Sequence, residues 1–221
     1  FPQDYLKKLS NRNINLAGVE IDNSGDTFYW KGRYHNNLNR RDTLVTDLNT
    51  LANFNPIVPD NFKDAEVALL GNLHPRIQLS VLDQINPHKT TIILDTMNYW
   101  IEGTWDELVQ VVAKTDVITI NDEEALQMTN TSNILLAAKK ISDMGPSYVI
   151  IKKGEHGALL YHREQIFLSP AAVLDNVVDP TGAGDSFAGG LAGFLASQPT
   201  FDFETVKTAI VYGSSVASFC V

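Results

Sequence analysis

A glycine-rich segment near the carboxyl end of the chain combines a turn, a loop of small residues and an acidic side chain. Asp179-Pro180-Thr181 is a turn signal, and Gly182-Ala183-Gly184 is small enough for its backbone to approach a ligand closely. Asp185 then begins a predicted helix with an apolar face, formed by Phe187, Leu191, Phe194 and Leu195. Free N–H groups and the helix dipole favour an anion at such a helix start, so the segment predicts a phosphate site.

Asp185 lies at the mouth of this predicted site, where a carboxylate would repel a phosphate. It would have a purpose there if it accepted the proton of a hydroxyl group whose oxygen attacks a phosphorus atom, while the loop amides stabilise the developing charge. The alternative is a helix cap, because Asp is a favoured N-cap residue. Gly189, Gly190 and Gly193 inside the helix each cost about 1 kcal/mol relative to alanine, which favours close packing or a ligand.

Residues 179–190 resemble the C-terminal signature of the ribokinase (pfkB) family of carbohydrate kinases. The resemblance implies an α/β fold: one ribokinase-like three-layer α/β/α domain over residues 1–221, with a mostly parallel sheet and a small β lid. It implies an ATP-dependent kinase that transfers the γ-phosphate to a hydroxyl of a sugar or nucleoside. Asp185 would be the catalytic base, and Gly182, Ala183 and Gly184 would form the anion hole. ATP and Mg²⁺ are the implied cofactors, while the need for a monovalent cation stays open.

Asn121-Asp122-Glu123-Glu124 follows a predicted buried strand. On its own, Asn121 with Glu124 is typical of a capping box at the start of the next helix. The family has a similar Asn-x-x-Glu motif, so the resemblance implies that Asn121 and Glu124 help to organise magnesium. Because Mg²⁺ keeps several waters, Glu124 could act through water.

The resemblance also implies residues that contact ATP. Lys152-Lys153-Gly154-Glu155-His156-Gly157 follows a strand and could equally be a charged turn. In the family, a similar segment lines the nucleotide site, and a comparable final helix closes over the adenine. The residues so implicated are Lys152 (or its neighbour Lys153), Gly154, Gly157, Thr181, Gly213 and Ser214.

Asp95 and Asn98 follow another predicted strand and are candidate substrate residues. Related kinases carry an Asp-x-Asn-x-x-x-Trp-like segment at this point. Here Asn98 lies three residues after Asp95 and no arginine follows, so this sequence departs from the commonest version. The alternative for both residues is ordinary turn chemistry at a strand end.

Strand and helix patterns alternate from Glu66 onward. Continuous apolar runs predict buried strands at residues 67–70, 91–94, 117–120 and 148–151, and a pair of edge strands at 158–161 and 165–168. Helical patterns lie between them, including a predicted capping box of Thr104 with Glu107. This order predicts a largely parallel sheet, whose ligands lie beyond the carboxyl ends of the strands. Asp95, Asn121 and Lys152 all lie at such ends.

The region before Glu66 is polar and rich in turns. The pattern predicts a helix over residues 2–13 and a hairpin of strands 16–21 and 27–30, joined by Asp22-Asn23-Ser24-Gly25. Residues 34–49 have no clear period. By resemblance, residues 14–50 contribute a β lid whose aromatic residues cover the substrate, and lids of this kind could pair in a homodimer.

Composition limits the other possibilities. The chain has 221 residues, a net charge of −9 and one cysteine, Cys220. We therefore expect a cytoplasmic protein whose partner is a small molecule rather than nucleic acid or a membrane. The sequence starts without methionine and lacks the first strand and Gly-Gly segment of the family, so we expect it to be part of a longer chain.

Two alternatives to a sugar or nucleoside kinase stay open. The glycine segment does not exclude a kinase of the same fold that acts on a vitamin-like alcohol. A non-catalytic nucleotide-binding protein is the other alternative, although Asp185, Asn121 and Glu124 argue against it.

Overall fold

A six-stranded sheet lies at the centre of the computed structural model, which describes residues 3–35 and 41–221. The strands are β1 (Tyr29–Tyr34), β2 (Arg41–Asp47), β3 (Val67–Leu70), β4 (Thr91–Asp95), β5 (Val117–Asn121), β6 (Tyr148–Lys152), β7 (Ala158–His162) and β8 (Gln165–Ser169). The helices are α1 (Gln3–Ser10), α2 (Pro75–Leu82), α3 (Asn98–Gly103), α4 (Trp105–Val112), α5 (Asp122–Thr129), α6 (Ile134–Asp143), α7 (Ala183–Ala196) and α8 (Phe203–Ser218). Short 3-10 helices lie at Asn49–Asn53, Asp60–Phe62 and Gly154–His156.

The central sheet has the order β3-β4-β5-β6-β7-β8. Strands β3 to β6 are parallel, and β7 and β8 join antiparallel at one edge. Arg163 and Glu164 both adopt positive φ in the tight turn between β7 and β8. The four predicted buried strands and the predicted edge pair are therefore confirmed.

Helices cover both faces of the sheet, which gives three layers. One face packs against α2, α4, α5 and α6 through residues such as Leu94, Ile118 and Ile151. The other face packs against α7 and α8 through Ile93, Val117, Ile150 and Leu160. Successive residues of a strand point to opposite faces, so these continuous apolar runs fill both cores. Among the described residues, no helix is both long and apolar enough to cross a bilayer.

The predicted hairpin of strands 16–21 and 27–30 is wrong. Residues 16–28 contain no strand, and their larger apolar side chains, such as Val19 and Ile21, are exposed. Asp22 accepts a hydrogen bond from the Ser24 backbone, so the predicted turn forms without flanking strands to join. A strand is stabilised by a neighbouring strand, and residues 16–28 pair with no strand of the described structure. Pro2, where the predicted first helix begins, lies outside the described residues.

The actual hairpin lies further along the chain. Strands β1 and β2 pair antiparallel in a separate two-stranded sheet, with a bulge between Lys31 and Gly32. The Trp30 ring lies directly over Gly32, where an added Cβ would be 2.2 Å from the ring. Gly32 therefore leaves the space that allows Trp30 to fold along its own strand. Residues 36–40, part of the polar stretch without a period, lie outside the described residues.

The predicted capping box of Thr104 with Glu107 is also wrong. Helix α4 does begin after Thr104, but the Thr104 side chain makes no cap hydrogen bond to it. Its hydroxyl donates instead to the Trp100 carbonyl, 3.2 Å away at the end of α3. The preceding helix α3 provides this competing acceptor, which the local pattern did not reveal.

Two glycines allow α7 and α8 to pack closely. A Cβ on Gly213 would lie 2.7 Å from the Phe187 carbonyl oxygen, and a Cβ on Gly190 would lie 3.0 Å from the Val216 side chain. Gly189 and Gly193 differ, since nothing lies within 4 Å of an added Cβ at either position. Close packing thus explains Gly190 but neither Gly189 nor Gly193.

Gly157 offers a direct test of this backbone geometry. Its φ is +82°, and an added Cβ would lie 1.9 Å from the Ser169 carbonyl oxygen. We expect Gly157→Ala to lower the free energy of unfolding by about 3 kcal/mol, because it combines left-handed strain with a backbone clash. Gly189→Ala is the control in open helical space and should raise stability by about 0.5–1 kcal/mol. Denaturant unfolding measures both, and effects of the same sign would contradict the prediction.

Candidate active site

The carboxyl ends of three neighbouring strands bring polar side chains to one edge of the sheet. Asp95 ends β4, Asn121 ends β5 and Lys152 ends β6. Parallel strands carry their carboxyl ends to the same edge, so residues far apart in sequence meet there. The sequence placed these residues at strand ends, and the structure confirms that position.

The glycine loop starts α7 earlier than the sequence suggested. Helix α7 begins at Ala183, and its N-cap is Gly182 with a left-handed φ of 87°. Asp185 is therefore the third residue of the helix, and the helix-cap alternative for it is wrong. The Ser186 N–H donates to the Gly182 carbonyl at 2.8 Å, which closes the first turn.

The amides of this first turn define where an anion could bind. The Ala183 N–H donates to the Pro180 carbonyl at 3.1 Å, so the loop already uses that donor. The N–H groups of Gly184 and Asp185 follow at the second and third helical positions, at the positive end of the dipole. Asp185 is exposed beside them. The arrangement places a carboxylate and a helix N-terminus together at the surface.

Lys152 and Asp95 form an ion pair that the sequence did not predict. The Lys152 Nζ lies 2.9 Å from Asp95 Oδ1, and only 18% and 11% of the two side chains are exposed. The Thr119 hydroxyl donates to the same carboxylate oxygen at 3.3 Å. A Cβ added to Gly184 would lie 3.4 Å from this Nζ, so the ammonium lies next to the first turn of α7.

Asn121 and Glu124 form the predicted capping box at the start of α5. The Asn121 side chain accepts from the Glu124 N–H at 2.8 Å, and Glu124 Oε2 accepts from the Asn121 N–H at 2.9 Å. Glu124 is buried, with 6% of its surface exposed. The Glu124 carboxylate therefore has a structural role, as part of the cap of α5.

The acidic groups at this edge fit one kind of magnesium site. The described residues contain no cluster of three or more His, Cys, Asp or Glu side chains that could hold a metal ion. Mg²⁺ in phosphoryl-transfer enzymes is usually bound by one or two carboxylates together with phosphate oxygens and water. Glu124 would therefore hold such an ion only together with nucleotide phosphate oxygens and water.

The turn after β6 has positive φ at both of its predicted glycines. Gly154 has a φ of 53° and Gly157 a φ of 82°, and the Lys153 N–H donates to the Gly157 carbonyl at 2.7 Å. Gly157 also allows the β8 end to approach, as described above. At the final helix, Gly213 is buried between α7 and α8, while Ser214 beside it is half-buried. Packing thus accounts for Gly157 and Gly213 without a ligand.

Thr181 links the glycine loop to the two-stranded sheet. Its hydroxyl lies 3.0 Å from the Tyr34 hydroxyl, and its N–H donates to Asp179 Oδ1 at 2.9 Å. Contacts from the Thr181 side chain, and then from its backbone N–H, lower the pKa of the Asp179 carboxyl. The link joins residues 147 positions apart, and the sequence analysis missed it.

The segment after β4 holds the last candidate residue, Asn98, which is exposed at the first position of α3. The nearby Trp100 is buried, and its ring N–H donates to Asn72 Oδ1 at 2.8 Å. Asn72 follows the end of β3, so it belongs to the same edge. Its position after an apolar strand was the available signal, which the sequence analysis did not use.

Two named kinases are similar to this chain in sequence. The chain is 29% identical over 203 residues to a cytidine kinase of Thermococcus kodakarensis, which covers 90% of this chain and 72% of the relative. It is 32% identical over 123 residues to an aminoimidazole riboside kinase of Salmonella typhimurium, which covers 54% of this chain but only 38% of that relative.

Solved structures share the fold. An aminoimidazole riboside kinase from Salmonella enterica, complexed with aminoimidazole riboside and an ATP analog, has a TM-score of 0.74 at 19% identity, over 99% of this chain and 75% of its own. A fructokinase from Vibrio cholerae with fructose, ADP and calcium ion bound has a TM-score of 0.77 at 18% identity, over 97% and 73%. These likenesses confirm the predicted ribokinase-like three-layer fold.

The glycine segment predicted one family, and a family model tests that prediction. The model for the pfkB family carbohydrate kinase matches residues 1–221. Because this match runs over the same residues that form the sheet, the capping box and the glycine loop, the chain belongs to the pfkB family of carbohydrate kinases.

Proposed function

We propose that this chain carries the phosphotransferase site of an ATP-dependent kinase whose acceptor is a hydroxyl group of a sugar or nucleoside. The observation that carries the proposal is the position of Asp185. It is exposed in the first turn of α7, three residues after left-handed Gly182. The kinases to which the chain is similar include a cytidine kinase and an aminoimidazole riboside kinase. A nucleoside is therefore the acceptor to test first.

In the proposed reaction, Asp185 is the general base. Its carboxylate takes the proton of the acceptor hydroxyl as that oxygen forms a bond to the γ-phosphorus. The bond between the γ-phosphorus and the bridging oxygen breaks, and ADP leaves with the electron pair. Gly182 and Ala183 lead into the first turn, where the N–H groups of Gly184 and Asp185 stabilise the charge on the transferred group.

The remaining predicted residues have supporting roles in this proposal. Lys152, Gly154, Gly157, Thr181 and Ser214 would line the nucleotide side, although packing alone explains Gly157 and also Gly213. Asn98 is exposed at the same edge and stays a predicted acceptor contact. The two-stranded sheet would act as a lid that excludes water, because Tyr34 already contacts the glycine loop.

Three further expectations stay predictions. A homodimer would pair the two-stranded sheets, on which Tyr29 and Leu44 are exposed. A cytoplasmic location and a requirement for a monovalent cation are the other features to be measured on the natural chain.

Asp185→Asn tests the base directly. We expect kcat to fall about 100-fold or more, because asparagine cannot accept the proton, while the affinity for ATP is kept. Coupled ADP release across a panel of nucleosides and sugars measures turnover. Asp202→Asn is the matched control, because Asp202 is the N-cap of α8 and asparagine caps a helix equally well. Equal turnover by Asp185→Asn and the control would contradict the assigned role.

Glu124→Gln separates the magnesium role from the capping role. Glutamine keeps the acceptor for the Asn121 N–H, so the capping box survives while the charge is lost. We expect the Mg²⁺ concentration for half-maximal activity to rise about fivefold or more, since one carboxylate no longer attracts the hydrated ion. The same change at the exposed neighbour Glu123 is the control. An unchanged Mg²⁺ requirement would mean that Glu124 is a cap only.

Tyr34→Phe tests the proposed lid. The variant removes the hydroxyl that bonds Thr181 and leaves the ring in place. One such hydrogen bond contributes about 1 kcal/mol, so we expect the KM for the acceptor to rise about fivefold. Tyr29→Phe, on the opposite side of β1, is the control and should change nothing. If both variants behave like the unaltered chain, the contact does not contribute to substrate binding.

A further inference from the structure

We propose that Asp95 is a positioning residue, which holds the ammonium of Lys152 at the first turn of α7, rather than a contact to the acceptor. The inference rests on the proposed function, because it assigns the phosphate chain of a nucleoside triphosphate to this site. It changes the role expected for Asp95 from the sequence alone. The geometry around the ion pair supports it in three steps.

The first step is the sheet face on which the pair lies. Asp95 is in register with Thr119, and Thr119 is in register with Ile150, two residues before Lys152. Residues in register share a face, and so do residues two apart in one strand. Ile150 belongs to the core that packs on α7 and α8, so both charged side chains point towards the layer that contains the glycine loop.

The second step is the reach of the lysine. Strand β5 lies between β4 and β6, so the two outer strands are about 9–10 Å apart, and Lys152 also lies two residues beyond the position in register with Asp95. The Lys152 side chain crosses the end of β5 to place its ammonium 2.9 Å from Asp95. Burial fixes this path, and the ammonium comes to lie beside Gly184 in the first turn of α7.

The third step is electrostatic. A cation beside the positive end of a helix dipole is unfavourable without a nearby anion, and Asp95 supplies that anion. An ammonium has three N–H donors, of which one is directed at Asp95. The others can meet a phosphate oxygen at the glycine loop while the ion pair stays intact. A phosphate there would meet the helix end and a lysine that is already oriented.

Exposed ion pairs elsewhere do not share these features. The pair of Lys114 with Asp83 has a similar Nζ–Oδ1 distance of 3.1 Å, but 51% and 69% of its side chains are exposed. Pairs of that kind contribute little to stability. The pair of Lys114 with Asp83 follows α2 and α4, at the edge of the sheet opposite the candidate site. It therefore gives a matched control for removing one lysine and one aspartate.

Calorimetry that measures how tightly the same chain binds ATP and adenosine tests the proposal. Lys152→Met should weaken ATP binding about ten- to hundredfold, the loss of one charge-assisted contact, and leave adenosine binding unchanged. A damaged fold would weaken both ligands alike. Lys152→Arg keeps the charge, should keep most of the affinity, and provides the comparison if the methionine variant does not fold. Lys114→Met should alter neither ligand.

Asp95→Asn, alone and combined with Lys152→Met, tests the positioning role. Alone, Asp95→Asn should weaken ATP binding about fivefold, because the ammonium loses its charged anchor. Combined with Lys152→Met, the same change should alter ATP binding less than about twofold. Equal effects in the presence and absence of the lysine would overturn the proposal, as would tighter ATP binding by Asp95→Asn. A raised KM for the acceptor with unchanged ATP affinity would also overturn it. Asp83→Asn is the control.

These outcomes are separate from those of the proposed function. If the unaltered chain turns over no sugar or nucleoside, the kinase assignment fails while the contrast between ATP and adenosine still tests Lys152. If turnover is normal and Lys152→Met binds ATP as tightly as before, the kinase assignment stands and the inference fails.

Discussion

The close packing of α7 against α8 and the sheet is the constraint on which the site depends. Gly190 and Gly213 bring the helix backbones together, and Phe187 and Leu191 seat α7 on the face that carries Ile93 and Ile150. The position of the α7 N-terminus relative to the strand ends follows from that contact. The first turn of α7, the exposed Asp185 carboxylate and the Lys152 ammonium thus lie close together because Gly190 and Gly213 let the two helices approach.

The sequence was a good guide wherever a feature depended on a short run of residues. The buried strands are apolar on both faces, the capping box spans one helical turn, and the glycine segment contains its own turn and helix start. Predictions failed where a distant partner decided the outcome. Residues 16–21 had the right composition for a strand but pair with no strand of the described structure, and the Thr104 hydroxyl found an acceptor in the helix before it.

Long-range contacts form the part of the site that local patterns could not supply. Lys152 and Asp95 are 57 residues apart, and Thr181 and Tyr34 are 147 apart, so neither pair has a spacing that a motif could reveal. Only the order of strands in the sheet brings Lys152 and Asp95 together. The same order explains why Asp95, predicted as a substrate residue, is engaged by a lysine. The fold was therefore more predictable than the detailed chemistry of its edge.

The two-stranded sheet differs from the central sheet in how it is held. An isolated hairpin is marginally stable in water, whereas the six-stranded sheet is buried between two layers of helices. The two sheets should thus behave as separate cooperative units, with faster amide hydrogen exchange in β1 and β2 than in β4 to β6. Because Tyr34 joins the hairpin to the glycine loop, whatever orders that loop also slows local opening of the hairpin. A ligand bound at the glycine loop would then be detectable as slower amide hydrogen exchange in β1 and β2.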